Sequence, residues 1–588
     1  MKRVLSCLLA MCLLLGLCVF NAAAEGEAAV TVTDITWDGA EQPKPGAKVV
    51  FSAHLKNNGG DLAKGTAVKV DLYVNQEKVF TENYEKGIAA GQTVQVKFPK
   101  WEAVAGEHVV TAVLNECKAD RENWTQKQHL TANIRVADKA LEVPSIAEKF
   151  GMTSLTFSDD FTTLDLVDKE CTGAYGYKWY ANMPYGSSDS EPTDYELTEE
   201  GIRLIRTVKD PGWAVWTLST FDCATGAGWG YTHGYMEMRV RTPANRISGD
   251  RGQPSVWSLP PEKMLSYPDA NRYVEMDFLE FLDDDSFTTT LHDLSFTDAN
   301  QSEYIHHYKN QNYKHLGMRD GEWHTMGFVW RNGSITSYLD GKEYMTLCWK
   351  DNGTSYPEAM SMKGNTDGLD AFAIFDDQLT PLVINGNEGW PLEIDYIHVW
   401  EGKPEANQGE SVETAQFVDM YLRDGDGQIE LTANFENYEA LIEVEEAVAE
   451  LGATQQEELN RLAKREVGKT MAQVIEDAKQ FKADMESFVA AFAVDSEGTL
   501  LDAESVEACK VIVKGERKWN KMSAELKEAV NNHVYLNNGV TYEDLLAAAR
   551  EKVPASPIKP WMVAVAAVVL AAAVAAVAVG VCRKKAKG

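Results

Sequence analysis

Hydrophobic and polar residues alternate along the first part of the chain. The run Val68-Lys69-Val70-Asp71-Leu72-Tyr73-Val74 shows the pattern, which recurs from Glu25 to Val136. Successive side chains of a β-strand point to opposite faces, so a period of two predicts strands with one buried face. Turn residues such as Pro45-Gly46 separate the runs. Short strands at this spacing predict a β-sandwich over residues 25–136.

The next part of the chain keeps strand-like runs but differs in composition. Ten of the fifteen tryptophans lie between residues 141 and 402, which are also rich in Gly and Asp. Runs such as Gly234–Arg241 and Leu392–Trp400 have the length and the residue types of strands. We therefore expect a large all-β domain over residues 141–402.

After a polar linker that follows Gly402, the hydrophobic period becomes helical. Apolar residues between 471 and 492 recur at steps of three and four, which places them on one face of an amphipathic helix. Thr454-Gln455-Gln456-Glu457 has the pattern of a capping box ahead of a further apolar run. These patterns predict a helical stalk or bundle over residues 411–552.

The two ends of the chain carry targeting patterns. Residues 1–24 combine a basic start, an apolar run and small residues, which is typical of a secretory signal. Residues 561–582 carry no charge and are long enough to form a transmembrane helix. The basic tail at residues 583–588 would stay cytoplasmic. We expect a single-pass protein whose N-terminus lies outside, on the extracellular face of a bacterial cell membrane.

Charge narrows the range of partners. The chain has 56 Lys and Arg against 89 Asp and Glu, for a formal net charge of −33. Because phosphate binding requires a basic face, this acidity argues against a nucleic acid partner. The nine cysteines contain no C-x-x-C pair that would suggest zinc.

The segment Arg272–Phe281 carries the candidate chemistry. It places Glu275, Asp277 and Glu280 among apolar residues of a predicted strand. Apolar surroundings and like charges both raise the pKa of a carboxyl group, so the arrangement suits a site that holds a proton at neutral pH. In a regular strand Glu280 would point away from the other two, and only a β-bulge returns it to their face.

The spacing Glu275-x-Asp277-x-x-Glu280 resembles the signature of glycoside hydrolase family 16 in its bulged, laminarinase-like form. Segments that resemble other strands of this family occur in the expected order: Asp159-Asp160-Phe161, Gly234–Val240, Gly252–Leu259, Leu291-His292, Trp323–Gly341 and Leu392–Trp400. The resemblance implies a concanavalin A-like β-jelly-roll with the carboxylates on its concave face. It also implies Glu275 as the nucleophile, Glu280 as the general acid/base and Asp277 as the residue that tunes their pKa values.

The resemblance extends to binding residues. Trp257, His292 and Trp179 are the candidates to line sugar subsites. Asp395 resembles a position near a structural calcium ion in some family members, so a calcium ion is compatible with the sequence, although the reaction requires no cofactor.

The N-terminal region resembles the bacterial cell-adhesion-related (CARDB) domain, an Ig-like β-sandwich, on the segments Lys56–Gly59, Asp71–Val74 and Gly106–Val110. It contains no catalytic constellation, which leaves a spacer or a module that contacts glycan or protein.

The sequence thus predicts a surface-anchored, retaining endo-β-glycanase that hydrolyses a polysaccharide, β-1,3- or mixed-linked β-glucan. The alternatives are an endo-β-galactosidase-like enzyme acting on host or algal glycans and a non-catalytic, glycan-binding adhesin on the same fold.

Overall fold

The computed structural model describes residues 28–117, 124–181, 192–205, 217–245, 247, 254–261, 272–283, 286–296, 304–312, 316–318, 320–349, 355–356, 360–363 and 378–553. The predicted signal (1–24), membrane span (561–582) and tail (583–588) lie outside these residues. Within the described ranges, no helix has the length and apolar character needed to cross a membrane. The chain divides into two compact units, Met1–Ile429 with Gly452–Glu466, and Glu430–Leu451 with Val467–Gly588.

Seven strands form a sandwich at the start of the first unit. They are β1 (Val30–Trp37), β2 (Lys48–Asn57), β3 (Val68–Val74), β4 (Glu77–Tyr84), β5 (Thr93–Glu102), β6 (Gly106–Cys117) and β7 (Trp124–Val136). One sheet has the order β1-β2-β5 and the other β4-β3-β6-β7. Alternate residues of β3, namely Val68, Val70 and Leu72, are buried in a core to which both sheets contribute. The specific resemblance to the CARDB domain stays a prediction.

Two larger sheets follow in the same unit. Their strands are β8 (Ser154–Asp159), β9 (Val167–Asp168), β10 (Trp179–Tyr180), β11 (Tyr195–Thr198), β12 (Gly201–Leu204), β13 (Leu218–Ser219), β14 (Gly234–Arg241), β15 (Ser255–Ser258), β16 (Arg272–Asp283), β17 (Ser286–Phe296), β18 (Tyr304–Asn312), β19 (His324–Arg331), β20 (Ser334–Leu339), β21 (Lys342–Trp349), β22 (Ser355–Tyr356), β23 (Met360–Lys363), β24 (Val383–Asn385) and β25 (Leu392–Glu401).

The order of the first of these sheets, which we call the site sheet, is β23-β18-β17-β16-β15-β24-β13-β10-β9. The second, the outer sheet, has the order β11-β12-β25-β14-β19-β20-β21-β22, with β8 paired to β25. Met276 and Phe278 from the site sheet and Phe328 and Ile397 from the outer sheet share one apolar core. The mainly β character and a jelly-roll-like middle region are therefore confirmed.

The sandwich joins the middle region through buried ionic groups. The side chain of Lys178, fully shielded from solvent, lies 3.0 Å from Oε2 of Glu107 in β6. Arg135 in β7 also pairs with Glu107, and lies 2.7 Å from Asp160 next to β8. Because removing one partner from a buried pair leaves an uncompensated charge, this junction favours a fixed contact between the two β regions.

Eight helices lie within the described part of the chain. They are Ser145–Lys149, Val412–Tyr421, Tyr438–Glu450, Ala453–Val467, Met471–Phe492, Val506–Trp519, Ala524–Asn538 and Tyr542–Lys552. In the second unit, Phe488, Ile512, Val530 and Tyr542 belong to one buried apolar cluster. A helical region is thus present after the β regions, although whether it acts as a stalk is still a prediction.

The helices repeat with an offset of 71 residues. Ala453–Val467 and Ala524–Asn538 begin and end at equivalent positions, and Met471–Phe492 and Tyr542–Lys552 begin at equivalent positions. Each of the last two starts with a capping box, at Thr470 and at Thr541. The isolated bridges Arg423–Ile429 and Val494–Leu500 have the same offset. The region therefore contains two copies of one helical element order.

Candidate active site

Strand β16 lies in the middle of the site sheet, between β15 and β17. Asp277 pairs with Thr290 of β17, whereas Glu280 pairs with Thr288, so three steps along β16 match two along β17. The register with β15 shifts at the same place. An extra residue in one strand of an antiparallel pair is a β-bulge, and the spacing of the carboxylates predicted one here.

The bulge brings all three carboxylates to one face. Thr288 and Thr290 are two residues apart in β17 and so share a face, and paired residues of neighbouring strands lie on the same side. The intervening residues Val274, Met276 and Phe278 belong to the core between the sheets. Strand β16 therefore has one polar face, which carries the carboxylates, and one apolar face, which packs in the core, and it is paired with a strand on each side.

Asp277 is the most buried of the three carboxyl groups. Its residue is 4% exposed, while Glu275 and Glu280 are half-buried. Burial raises the pKa of Asp277 to about 8, and a hydrogen bond with Glu280 acts in the opposite direction. At neutral pH the Asp277 carboxyl therefore holds a proton that it can donate to a neighbour.

His292 joins the carboxylates from β17. It pairs with Glu275 in the sheet, and its Nε2 lies 2.9 Å from Oδ2 of Asp277. Burial lowers the pKa of His292, although the negative charges of Glu275 and Glu280 act against this. A neutral imidazole beside a protonated carboxyl makes this contact a hydrogen bond from the carboxyl of Asp277 to Nε2 of His292, and not an ion pair.

Trp257 lies on the same face. It pairs with Asp277 from β15 and is 5% exposed, and its Nε1 lies 3.3 Å from Oδ1 of Asn385. Asn385 in turn donates to Oγ of Ser255, the residue that pairs with Glu280. The structure thus brings Trp257 and His292 to the three carboxylates, whereas their contact with sugar stays a prediction.

The expectation for Trp179 is wrong. This residue is 1% exposed and packs in the core, with its ring centroid 5.9 Å from that of Phe157 and 5.6 Å from that of Phe161. Its Nε1 donates to Oδ2 of Asp159 over 2.8 Å. A ring with both faces covered by protein cannot stack on a sugar, so Trp179 is a core residue.

Two polar residues at the site, Thr290 and Asn385, were not predicted from the sequence. Oγ1 of Thr290 lies 3.4 Å from Oε2 of Glu280, and Asn385 holds Trp257 as described above. Thr290 could have been found by folding β16 onto β17 as a hairpin, since His292 was already a candidate two residues further on. Asn385 lies more than 100 residues away in the sequence, and nothing in its surroundings marks it.

The residues of the site do not fit a calcium ion. Glu275, Asp277 and His292 each offer an atom within 4.8 Å of the others, but calcium takes six to eight oxygen ligands and this set includes an imidazole. On the outer sheet, Oδ2 of Asp395 lies 2.5 Å from the guanidinium of Arg239, which already supplies the positive charge there. We therefore derive no catalytic step through a metal.

Residues 215–368 match the family model "Glycosyl hydrolases family 16". The matched range contains β15, β16 and β17, and with them the carboxylates, His292 and Trp257. This part of the chain is a glycoside hydrolase domain, which confirms the predicted enzyme class.

Solved structures similar to the chain include two laminarinases and a galactosidase. The laminarinase from Flavobacterium sp. is 16% identical, covers 42% of this chain and 100% of its own, and has a TM-score of 0.27. The laminarinase catalytic domain from Thermotoga maritima is 16% identical, with 42% and 98% covered and a TM-score of 0.28. The GlcNAcα1-4Gal-releasing endo-β-galactosidase from Clostridium perfringens is 17% identical, with 44% and 64% covered and a TM-score of 0.29. Among curated proteins, no relative matches the chain.

Proposed function

We propose that the chain is a retaining endo-β-glycanase that hydrolyses β-1,3- or mixed-linked β-glucan. The observation that carries the proposal is the bulge in β16, which places Glu275, Asp277 and Glu280 on one face of the site sheet. The family match over the same strands supports it. The acidic chain, with its net charge of −33, favours a neutral glycan over a sulfated one, which it would repel.

In the proposed reaction Glu275 attacks the anomeric carbon while Glu280 protonates the glycosidic oxygen. The bond between that carbon and that oxygen breaks, and the leaving part of the glycan departs with the proton. Glu280, now a carboxylate, removes a proton from water. The resulting hydroxide attacks the same carbon and releases Glu275, so the product keeps its β configuration.

Asp277 has a distinct task in this scheme. A carboxyl with a pKa of about 8 is protonated at neutral pH and donates its proton in a hydrogen bond. Its bond with Glu280, together with the 2.9 Å contact to His292, holds both neighbours in place. Because the bond with Glu280 lowers the pKa of Asp277, Asp277 accepts the proton of the general acid Glu280 there and donates its own proton to His292.

The placement of the protein in the cell is part of the same proposal. A secretory signal at residues 1–24 and a membrane span at residues 561–582 would hold the catalytic domain on the extracellular face of the membrane, where polysaccharide is available. Protease accessibility of the catalytic domain on intact cells tests this, with the chain truncated before residue 561 as the variant expected in the medium.

Digestion of a glycan panel tests the activity. The panel contains β-1,3-glucan, mixed-linked β-glucan, β-galactans and mucin-type glycans. We expect wild type to release oligosaccharides from the first two, and Glu275→Gln to lose roughly 10⁴-fold in kcat or more. Release from galactans alone would establish the galactosidase alternative. Binding without release by wild type and variant would establish the adhesin.

Rescue by a small anion separates the two glutamates. With an activated substrate, azide should restore turnover to Glu280→Ala and give a β-glycosyl azide, because the glycosyl-enzyme still forms. With Glu275→Ala the azide takes the place of the nucleophile and the product is the α-glycosyl azide. The opposite pair of products would reverse the two roles, and an α-anomer as the first product of wild type would refute retention.

A further inference from the structure

The two copies of the helical repeat carry stripes of opposite charge. In the first copy, Glu439, Glu443, Glu446 and Glu450 lie on the helix Tyr438–Glu450, and we call them the acidic stripe. The residues 71 positions later are Lys510, Lys514, Arg517 and Lys521, which we call the basic stripe. The first three lie on the helix Val506–Trp519, and Lys521 lies in the turn that continues it.

Each stripe occupies a single exposed face. Steps of four, three and four residues keep side chains within one narrow sector of an α-helix. All eight residues are exposed, whereas Leu441 and Ile512, which are equivalent in the repeat, are buried on the opposite side of their helices. The apolar side of the helix has thus been kept between the copies, while the charge of the outer side has been reversed at four positions.

Few ion pairs within the chain neutralise the charges of the two stripes. Lys510 pairs with Glu507 over 2.8 Å, and Glu439 lies 3.8 Å from Lys482. For the other six stripe residues, no ion pair is present in the described part of the chain. Like charges three and four residues apart destabilise a helix, and a solvated helix face normally mixes the two signs.

We propose that the acidic stripe of one chain binds the basic stripe of a second copy. The spacing of four, three and four residues is the same in both chain directions, so two antiparallel helices can form four acid–base pairs. In this arrangement the dipoles of the two helices are antiparallel, which is favourable. Each stripe runs about 16 Å along its helix at about 1.5 Å per residue. The two partners use different surfaces, so each chain keeps one unoccupied stripe and further copies can add in a row.

Sedimentation velocity of the full chain in a neutral detergent tests the proposal. We expect association in about 0.01 M salt, and at least about tenfold weaker association in about 1 M salt, where the Debye length falls from about 30 to about 3 Å. The acidic-stripe variant Glu443→Lys/Glu446→Lys/Glu450→Lys and the basic-stripe variant Lys514→Glu/Arg517→Glu/Lys521→Glu should each sediment as monomers. An equimolar mixture of the two variants should associate again, because one then offers only basic and the other only acidic stripes.

A matched control reverses three exposed charges elsewhere. Lys64→Glu/Lys86→Glu/Lys100→Glu on the N-terminal sandwich changes the net charge as much as the basic-stripe variant does, and should associate like wild type. Circular dichroism should be the same for all forms. Equal association of wild type and both stripe variants, or failure of the mixture to associate, would overturn the proposal. So would a monomeric wild type whose basic stripe binds anionic lipid vesicles instead.

Discussion

Replacing Asp277 by Asn removes an ionisation that the fold resists. The pKa of Asp277 rises from an ordinary 3.8 to about 8 because the carboxyl is buried. This difference corresponds to about 5–6 kcal/mol, since each pH unit between two pKa values is worth about 1.4 kcal/mol. This figure is an upper limit on how much the ionisation of Asp277 lowers the free energy of unfolding at high pH.

The sign and the pH window follow from proton binding. Below about pH 4 the carboxyl is protonated in both the folded and the unfolded chain and does not affect stability. Between about pH 4 and pH 8 the unfolded chain releases the proton and the folded chain keeps it, so the free energy of unfolding falls as pH rises. Asp277→Asn lacks this dependence. Its free energy of unfolding should therefore rise relative to wild type by about 1.4 kcal/mol per pH unit between pH 5 and pH 7.

Urea unfolding at pH 5, 6 and 7, followed by tryptophan fluorescence, measures this difference. Ten of the fifteen tryptophans lie between residues 141 and 402, so the signal reports mainly on the domain that holds the site. Glu410→Gln is the control. Although burial acts against it, the charges of Arg331 and Arg465 hold the pKa of Glu410 well below its usual range, and both partners stay charged at every pH of the assay.

The Glu410 carboxylate contributes stability that is lost only as pH falls below about 5, so its variant should shift the curve between pH 5 and 7 without changing its slope. If Asp277→Asn and wild type ran parallel over this range, Asp277 would be ionised in the folded protein and its assignment as a proton donor would be wrong.

Three further variants test individual contacts. Trp179→Phe should lose about 1–3 kcal/mol by leaving the buried Asp159 without its indole donor, while KM for glucan stays unchanged; a large rise in KM would return Trp179 to the sugar subsites. Lys178→Met should cost about 3–5 kcal/mol in chemical unfolding, because it leaves Glu107 short of a buried partner; no change would show that this pair does not fix the junction. Thr541→Ala should destabilise the helix Tyr542–Lys552 by about 1 kcal/mol in hydrogen exchange, with Thr541→Ser near wild type; equal exchange in all three would exclude the capping box as a source of stability.

Local patterns predicted the parts of the fold that depend on local geometry. The period of two around Val68–Val74 and the helical period within residues 471–492 each mark one buried face, and the structure has strands and a helix there. The 71-residue offset was also readable in the sequence. The apolar period does not reveal this offset, because every amphipathic helix has the same period. The repeat is visible only in the order of the turns, capping residues and charged positions.

The same distinction between local and long-range geometry applies to the candidate site. The five-residue step from Glu275 to Glu280 predicted a bulge, because only an added residue keeps both on one face. The place of Trp179 depends instead on β10, a strand of two residues at the far side of the site sheet, and on the aromatic rings of Phe157 and Phe161. A resemblance supplies the residue type but not the pairing of a two-residue strand, and so it could not separate a core tryptophan from one that binds sugar.

Two places in the chain break local rules of stability, and the breaks differ in kind. In β16, carboxyl groups are buried beside one another. Burial makes a charge on Asp277 costly, so Asp277 keeps its proton, and contacts with Glu280 and His292 give its oxygens hydrogen-bond partners. In the helical repeat, like charges are exposed in stripes, and water and salt already screen them. A buried conflict must be resolved within the folded chain, and it therefore suits a site for a small reacting group. An exposed row of four like charges can instead be neutralised by a second surface of the same length and opposite sign, and the other copy of the repeat provides one.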